Sequence, residues 1–179
     1  MFWGVIHAAF FLFLPAGIAN LTPVIGNKIP LLARWKTPLD FGKSYRGKRI
    51  FGANKSWRGI VSGSLCGGLT SLITGHYLST QYALSFVGLQ LFLFGAWIGF
   101  GALLGDAVES FFKRQAGVKP GHSWFPWDQL DYIIGGVIFS LVFVREPLTV
   151  YLAIFGLYFG LHLLVSYVGY LLGFKDKPI

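Results

Sequence analysis

The chain has 179 residues, of which 54% are hydrophobic, 18% aromatic and 12% charged, with a formal net charge of +8 and a mean hydropathy of +0.61. A soluble globular domain carries roughly twice that share of charge, so this composition describes an integral membrane protein. One cysteine, Cys66, excludes an intramolecular disulfide and a cysteine-based metal cluster.

A helical span needs roughly 20 apolar residues to cross ~30 Å of hydrocarbon. The first run, Phe2 to Ile25, contains Gly17-Ile18-Ala19, which resembles a signal-peptide cleavage site. No Lys or Arg precedes its apolar core, so it is expected to stay as a span. A basic loop over residues 26–58 follows. The second run is Ile60 to Ser79, the third Leu84 to Gly105, the fourth and shortest Tyr132 to Val144, and the fifth Leu148 to Phe174. A polar segment over 106–131 separates the third from the fourth. The expected fold class is therefore all-α: a single membrane domain over 1–179 with about five transmembrane helices. Any chemistry must be carried out at or in the membrane.

Nine Lys and Arg lie between Ile25 and Ile60, three more (Lys113, Arg114, Lys119) follow span three, and Lys175 and Lys177 lie in the tail. Only Arg145 falls in the remaining connections. Fourteen against one predicts an outside N-terminus, a cytoplasmic C-terminus and both polar segments on the cytoplasmic side of the cell membrane. Within the first loop, KSYRGKRIFGANKSWRG (43–59) writes Lys-Ser-aromatic-Arg-Gly twice. Basic cytoplasmic loops also bind anionic lipid head groups, at roughly 1 kcal/mol per cation. Phe41-Gly42-Lys43-Ser44 ends like a phosphate-binding loop, but Thr37 stands where that motif needs its first glycine.

Four of the seven acids, Asp106, Glu109, Asp128 and Asp131, fall in the second polar segment. Continued past Gly105, the third helix would put Asp106, Glu109, Ser110 and Lys113 on one face. Asp128 can be read as an N-cap with Asp131 in the first turn. That does not explain Asp106, which enters a helix end where negative charge is unfavourable. Ionisable groups at membrane depth mark a site by default. Glu109 is expected to pair with Lys113 at i,i+4, and Trp124 and Trp127 to anchor the interface. No histidine spacing suits a metal.

Carboxylates without His or Cys suit Mg²⁺, which completes its shell with water and phosphate oxygens. Lys and Arg facing them can hold the remaining phosphate charge. This is the inventory of phosphoryl or nucleotidyl transfer. A transporter would want charge deep within its spans and paired repeats, and the D-G-x-x-A-R run of CDP-alcohol phosphotransferases is absent.

The run GDAVESFFKRQAGVKPGHSWFPWDQLD (105–131) resembles the signature of the CTP-dependent lipid cytidylyltransferases, and its spacing is most similar to the CDP-archaeol synthase branch. FGANKSWRG (51–59) is similar to that branch's second motif, so the resemblance covers nearly the whole chain. It implies that an archaeol-type lipid phosphate, 2,3-bis-O-geranylgeranylglycerol 1-phosphate, attacks the α-phosphate of CTP, giving a CDP-lipid and pyrophosphate with Mg²⁺ as cofactor. On matching positions it implies Asp106, Asp128 and Asp131 for metal, with Lys113, Arg114 and Lys119 for the triphosphate. It implies Asn54, Lys55 and Arg58 for CTP or the lipid phosphate, and leaves Lys43 to Gly47 unassigned. CTP, the lipid phosphate and membrane lipids are the expected partners, and no nucleic-acid polymer is expected. Phosphatidic acid as acceptor, or a noncatalytic anionic-lipid-binding role, are the alternatives.

The cation count generates a direct test of sidedness. A cysteine placed at Ser44 in a Cys66→Ser background is expected to resist a membrane-impermeant thiol reagent in intact cells and to react in inverted vesicles; labelling in intact cells would reverse the orientation.

Overall fold

A computed structural model describes residues 2–82, 87–119 and 121–173. The element order is α1 (Phe2–Gly26), α2 (Pro30–Ala33), β1 (Ser44–Tyr45), β2 (Lys48–Arg49), α3 (Trp57–Tyr82), α4 (Leu89–Gln115), α5 (Trp127–Ser140) and α6 (Leu148–Leu171). Five long helices thus stand where five runs were expected. By length and composition α1, α4 and α6 are long and apolar enough to cross a membrane. The glycines and hydroxyl residues of α3 lower its apolar character, and the 14 residues of α5 reach only about 21 Å. The expected start of span three at Leu84, the end of span five at Phe174 and the tail lysines lie outside the described residues.

Two helices extend beyond their apolar runs, both at the polar end. α4 runs on past Gly105 to Gln115 as one helix, and Glu109, Ser110 and Lys113 on its inner face are buried. α5 begins at Trp127, five residues before Tyr132, and so takes Asp128 and Asp131 into its first turns. Asp128 is consequently inside the helix. Pro126 holds the cap position, and no side chain caps it.

α1 is the central helix. Its residues Ala9, Leu12, Phe13 and Ala16 are fully buried against Phe94, Ile98 and Ala102 of α4, Ile133 of α5 and Ile154 of α6. Aliphatic side chains on the outer faces, such as Leu69, Ile73, Leu152 and Leu164, are exposed, as a lipid-facing surface requires. Small residues set the spacing of α1, α3 and α4: a Cβ at Gly63 would lie 2.7 Å from the Ala19 carbonyl oxygen, and one at Gly67 would meet the Gly95 carbonyl oxygen at the same distance. Gly156 and Gly160 of α6, whose spacing suggests a packing face, meet nothing within 4 Å.

The two copies of the Lys-Ser-aromatic-Arg-Gly motif fold differently. The first is a hairpin in which Ser44 pairs with Arg49 and Tyr45 with Lys48. Arg46 and Gly47 form its turn, both at positive φ (50° and 77°), the signature of a type I′ connection. Tyr45 lies 6.1 Å from the Phe111 ring, and Lys48 Nζ donates to the Gln115 carbonyl at 2.6 Å, closing the end of α4. In the second copy Ser56 Oγ accepts from the Gly59 amide at 3.3 Å and caps α3.

One buried acid organises the loop between them. Asp40 accepts from Arg49 Nε and Nη2 and from the Gly42, Phe51 and Gly52 amides, at 2.6–3.2 Å. Burial raises its carboxyl, but the Arg49 bond and the Phe51 and Gly42 amides outweigh it and hold the carboxyl at about 2, below the usual range. A depressed folded-state value means that this stabilisation is complete above about pH 4 and is lost as pH falls toward about 2.

Asp40→Asn is therefore expected to open the loop. Trypsin should cut between Lys43 and Arg58 about tenfold faster, the factor given by a local loss of ~1.4 kcal/mol. In the native protein, pepsin cleavage of this loop relative to a free peptide should rise as pH falls from about 4 to about 2. Equal cleavage rates in the two proteins would remove Asp40 from this role.

Candidate active site

The acids meet because α4 and α5 touch backbone to backbone. A Cβ at Gly105 would strike the Asp131 carbonyl oxygen, and one at Gly135 would strike the Gly101 carbonyl oxygen and come within 2.9 Å of the Gly105 Cα. With no side chain at these positions the two helices cross closely enough for residues on either side to face each other. Asp106, Glu109 and Asp131 then converge, each offering an oxygen within 4.8 Å of the others.

Their surroundings differ in ways that decide their roles. Asp106 holds Lys55, whose Nζ is 2.5 Å from both carboxylate oxygens. Asp131 is buried and accepts from the Tyr132 amide at 2.5 Å. Glu109 Oε1 is buried with no hydrogen-bond partner, and Lys113 Nζ stands 4.0 Å from it. The expected i,i+4 pair is thus present at its longest reach, and Lys113 makes a shorter ion pair with Asp128, whose other oxygen accepts from the Trp124 amide at 2.6 Å. Burial would lower the Lys55 ammonium, but the Asp106 carboxylate outweighs it, so Lys55 lies above the ordinary lysine range.

Like charges this close repel by at least about 3 kcal/mol per pair at an effective dielectric of ~20. A cation among or beside them, or a proton held by one of them, relieves that repulsion. The donor set is all oxygen, with one buried oxygen unpartnered, and it fits a hard divalent cation. The structure brings together two of the three acids expected to hold metal, Asp106 and Asp131. It joins Glu109 to them and sets Asp128 one step back, behind Lys113.

The cations divide as well. Asn54 and Lys119 are exposed, and Arg114 is half-buried with its stem against Gly52. Arg58 is buried and bonds inward, to the Leu32 carbonyl at 3.1 Å and to Asn27 Oδ1. It fastens the start of the loop to α3.

From the triad an apolar groove of about 490 Å³ runs along α4 and α5 to Gly101 and Phe139. Glu109 and Asp131 stand at its polar end with Trp124 and Trp127 beside them, and half-exposed Val108 and Phe112 border it. Two carboxylates thus mark one end of a trough that is greasy along the rest of its length.

A family model described as CarS-like CDP-archaeol synthase matches residues 2–179. The chain belongs to that family. A CDP-archaeol synthase of Methanoculleus marisnigri is 35% identical over 163 residues, covering 86% of this chain and 96% of the relative. That of Methanocaldococcus jannaschii is 33% identical over 181 residues and covers 98% of both. A solved structure, described as an intramembrane enzyme for archaeal membrane lipids biosynthesis, is similar at a TM-score of 0.67 and 30% identity, covering 88% of this chain and 92% of that one.

Within this CDP-archaeol synthase family member, Glu109 and Asp40 are the residues that sequence reasoning passed over. Glu109 sits at i,i+4 from Lys113, which offered a sufficient local partner; its share in the triad depends on α5. Asp40 carried one signal, that it is the single acid in a loop of nine cations.

Mn²⁺ in excess is expected to raise the unfolding temperature of the protein in detergent, a one-site ligand adding ~2.7 kcal/mol at 100 times its Kd. Asp106→Asn, Glu109→Gln and Asp131→Asn should each remove most of that rise, and Asp128→Asn should keep it. Retention of the full rise in Asp131→Asn would separate the triad from metal binding.

Proposed function

We propose that this protein transfers the cytidylyl group of CTP to an archaeol-type lipid phosphate, forming a CDP-archaeol-type lipid and pyrophosphate. The observation that carries the proposal is the convergence of three carboxylates, two of which, Glu109 and Asp131, line one end of an apolar groove, with Lys55 and Lys113 paired beside the acids. Membership of the CDP-archaeol synthase family supports the same reaction. The groove suits isoprenoid chains, and the polar end suits phosphates and a cation.

In this reaction an oxygen of the lipid phosphate bonds to the α-phosphorus of CTP, and the α–β anhydride bond breaks to release pyrophosphate. The attacking oxygen is already anionic, so no general base is required. Asp106, Glu109 and Asp131 would hold Mg²⁺, which when bound neutralises phosphate charge and orients the oxygens. Lys55 and Lys113 flank the acids, and their ammonium groups balance charge on the phosphates. Asp128 orients Lys113 through its ion pair. Arg114 and Lys119, farther along the same segment, are assigned to the β- and γ-phosphates by the family resemblance; Asn54 is the neighbour of Lys55 in the chain. We assign Arg58 to fastening the loop, since its guanidinium bonds inward. The cation asymmetry of the sequence supports a cytoplasmic position for this end of the bundle, where CTP is available.

Purified protein given Mg²⁺, labelled CTP and a geranylgeranyl ether lipid phosphate is expected to release pyrophosphate and to move label into an organic-extractable product, with EDTA abolishing both. Diacyl phosphatidic acid should serve less well but not be excluded, because apolar contacts discriminate by only about 1–3 kcal/mol per small difference in shape. Label transfer that survives metal removal, or pyrophosphate release without lipid, would overturn the mechanism. Failure of both lipids together with tight retention of anionic vesicles would leave a lipid-binding protein.

A further inference from the structure

Lys55 is pinned by its backbone, and its side chain ends in an ion pair with Asp106. Its carbonyl accepts from the Leu39 amide at 2.8 Å, the Thr37 carbonyl accepts from the Trp57 amide at 3.1 Å, and Pro38 bridges Ser56 across the same ladder. Next to this ladder Asp40 ties Phe51 and Gly52, so the main chain on both sides of Lys55 is fixed. From that fixed point a four-carbon stem carries a compact ammonium whose direction is not fixed by a fork geometry. The ammonium lies 2.5 Å from both oxygens of Asp106 and has a side-chain exposure of 23%.

Lys113 is built the other way. It rises from the interior of α4, and its short ion pair is with Asp128, whose second oxygen is tied to the Trp124 amide. It stands 4.0 Å from Glu109, but its short ion pair is with Asp128, outside the three converging acids, so a cation among those acids need not break it. Lys55 alone among the described lysines occupies both oxygens of a triad carboxylate.

We propose that Lys55 is an exchangeable counter-ion: its ammonium and a divalent cation compete for the Asp106 carboxylate, and binding of the cation releases Lys55 toward phosphate oxygens. This rests on the assignment of Asp106, Glu109 and Asp131 to metal. The reason is charge at close range. The ammonium lies against both Asp106 oxygens, so a dication brought to the same carboxylate would stand within a few ångströms of it and repel it. Because the loop backbone is pinned, release is a rotation of the Lys55 stem without opening of the loop. The device couples the ligands in sequence. Lys55 blunts the repulsion among the acids before the cation arrives, and becomes available to phosphate only afterwards. By linkage, a phosphate-bearing ligand that draws Lys55 away strengthens cation binding by the same factor.

The test uses Mn²⁺ alone as probe, on the purified full-length protein in detergent, read by the electron paramagnetic resonance signal of free Mn²⁺. Lys55→Gln is expected to bind Mn²⁺ roughly tenfold more tightly than the native protein while turning over more slowly. Lys55→Arg, whose guanidinium engages both Asp106 oxygens more rigidly, should bind Mn²⁺ more weakly. In the native protein, acylation of Lys55 by acetic anhydride, read by mass spectrometry against exposed Lys43, should rise several-fold when Mn²⁺ is added. This footprint needs no variant and decides the matter if Lys55→Gln does not fold. Unchanged or reduced acylation, or Mn²⁺ binding by Lys55→Gln no tighter than native, would overturn the exchange. Asp131→Asn serves as the reference: if it binds Mn²⁺ as well as the native protein, the metal assignment itself fails, whereas loss of binding there with no Lys55 effect refutes the exchange alone.

Discussion

Backbone contact between α4 and α5 at Gly101, Gly105 and Gly135 is the constraint on which the site depends. Helices with ordinary side chains at their crossing stand 8–10 Å apart, and a Cβ at any of these positions would strike the neighbouring helix. Asp106 follows one of these glycines directly and Asp131 lies one turn before another. Their carboxylates are therefore pressed together by the same packing that holds the bundle. The repulsion that results is offset by ammonium groups from two directions, Lys55 from the entry to α3 and Lys113 from α4 itself. A Gly105→Ala change would disturb packing and chemistry in one step, because the two are not separate here.

The loop before α3 shows how context overrides local sequence. The same five-residue pattern makes a hairpin turn at Arg46 and Gly47 and a helix cap at Ser56. What separates the outcomes is the partner available to each. The first copy lies against the end of α4, where Tyr45 meets Phe111 and Lys48 takes the Gln115 carbonyl. The second runs into an apolar helix and beside Asp106. Asp40 links the two by binding Arg49 on one side and the Phe51 and Gly52 amides on the other. A loop of nine cations is in this way made rigid by one buried acid.

The groove relates the polar site to its membrane setting. Its walls are the outward faces of α4 and α5, and several of its lining residues, including Ile134 and Ile138, are open to the surroundings. A lipid could enter sideways from the bilayer with its phosphate arriving last, beside Glu109 and Asp131. Trp124 and Trp127, expected from the sequence as interface anchors, also border the point where the apolar and polar parts of the groove meet. The two roles are compatible, since an indole is amphipathic.

The sequence by itself determined the class of the protein, the number of long helices, the extension of the third helix beyond Gly105 and the two polar segments that carry the candidate site. These follow from apolar length, cation count and helical spacing, which are local properties of the chain. The pattern of acids without His or Cys likewise indicated a hard cation before any contact was known. Tertiary structure alone decided which acids converge. Asp128 and Asp131 are one turn apart and look equivalent along the chain, yet Asp131 faces Asp106 while Asp128 faces Lys113. Glu109 had a plausible partner four residues away, and only the approach of α5 turned one of its oxygens into part of a triad. Arg58 and Asp40 reverse the expectation attached to charge in a loop, one buried against Asn27 and Leu32, the other under five hydrogen bonds. Such assignments depend on distances between residues far apart in the chain, and those distances are set by how closely two helices can approach, which glycine content permits but does not specify.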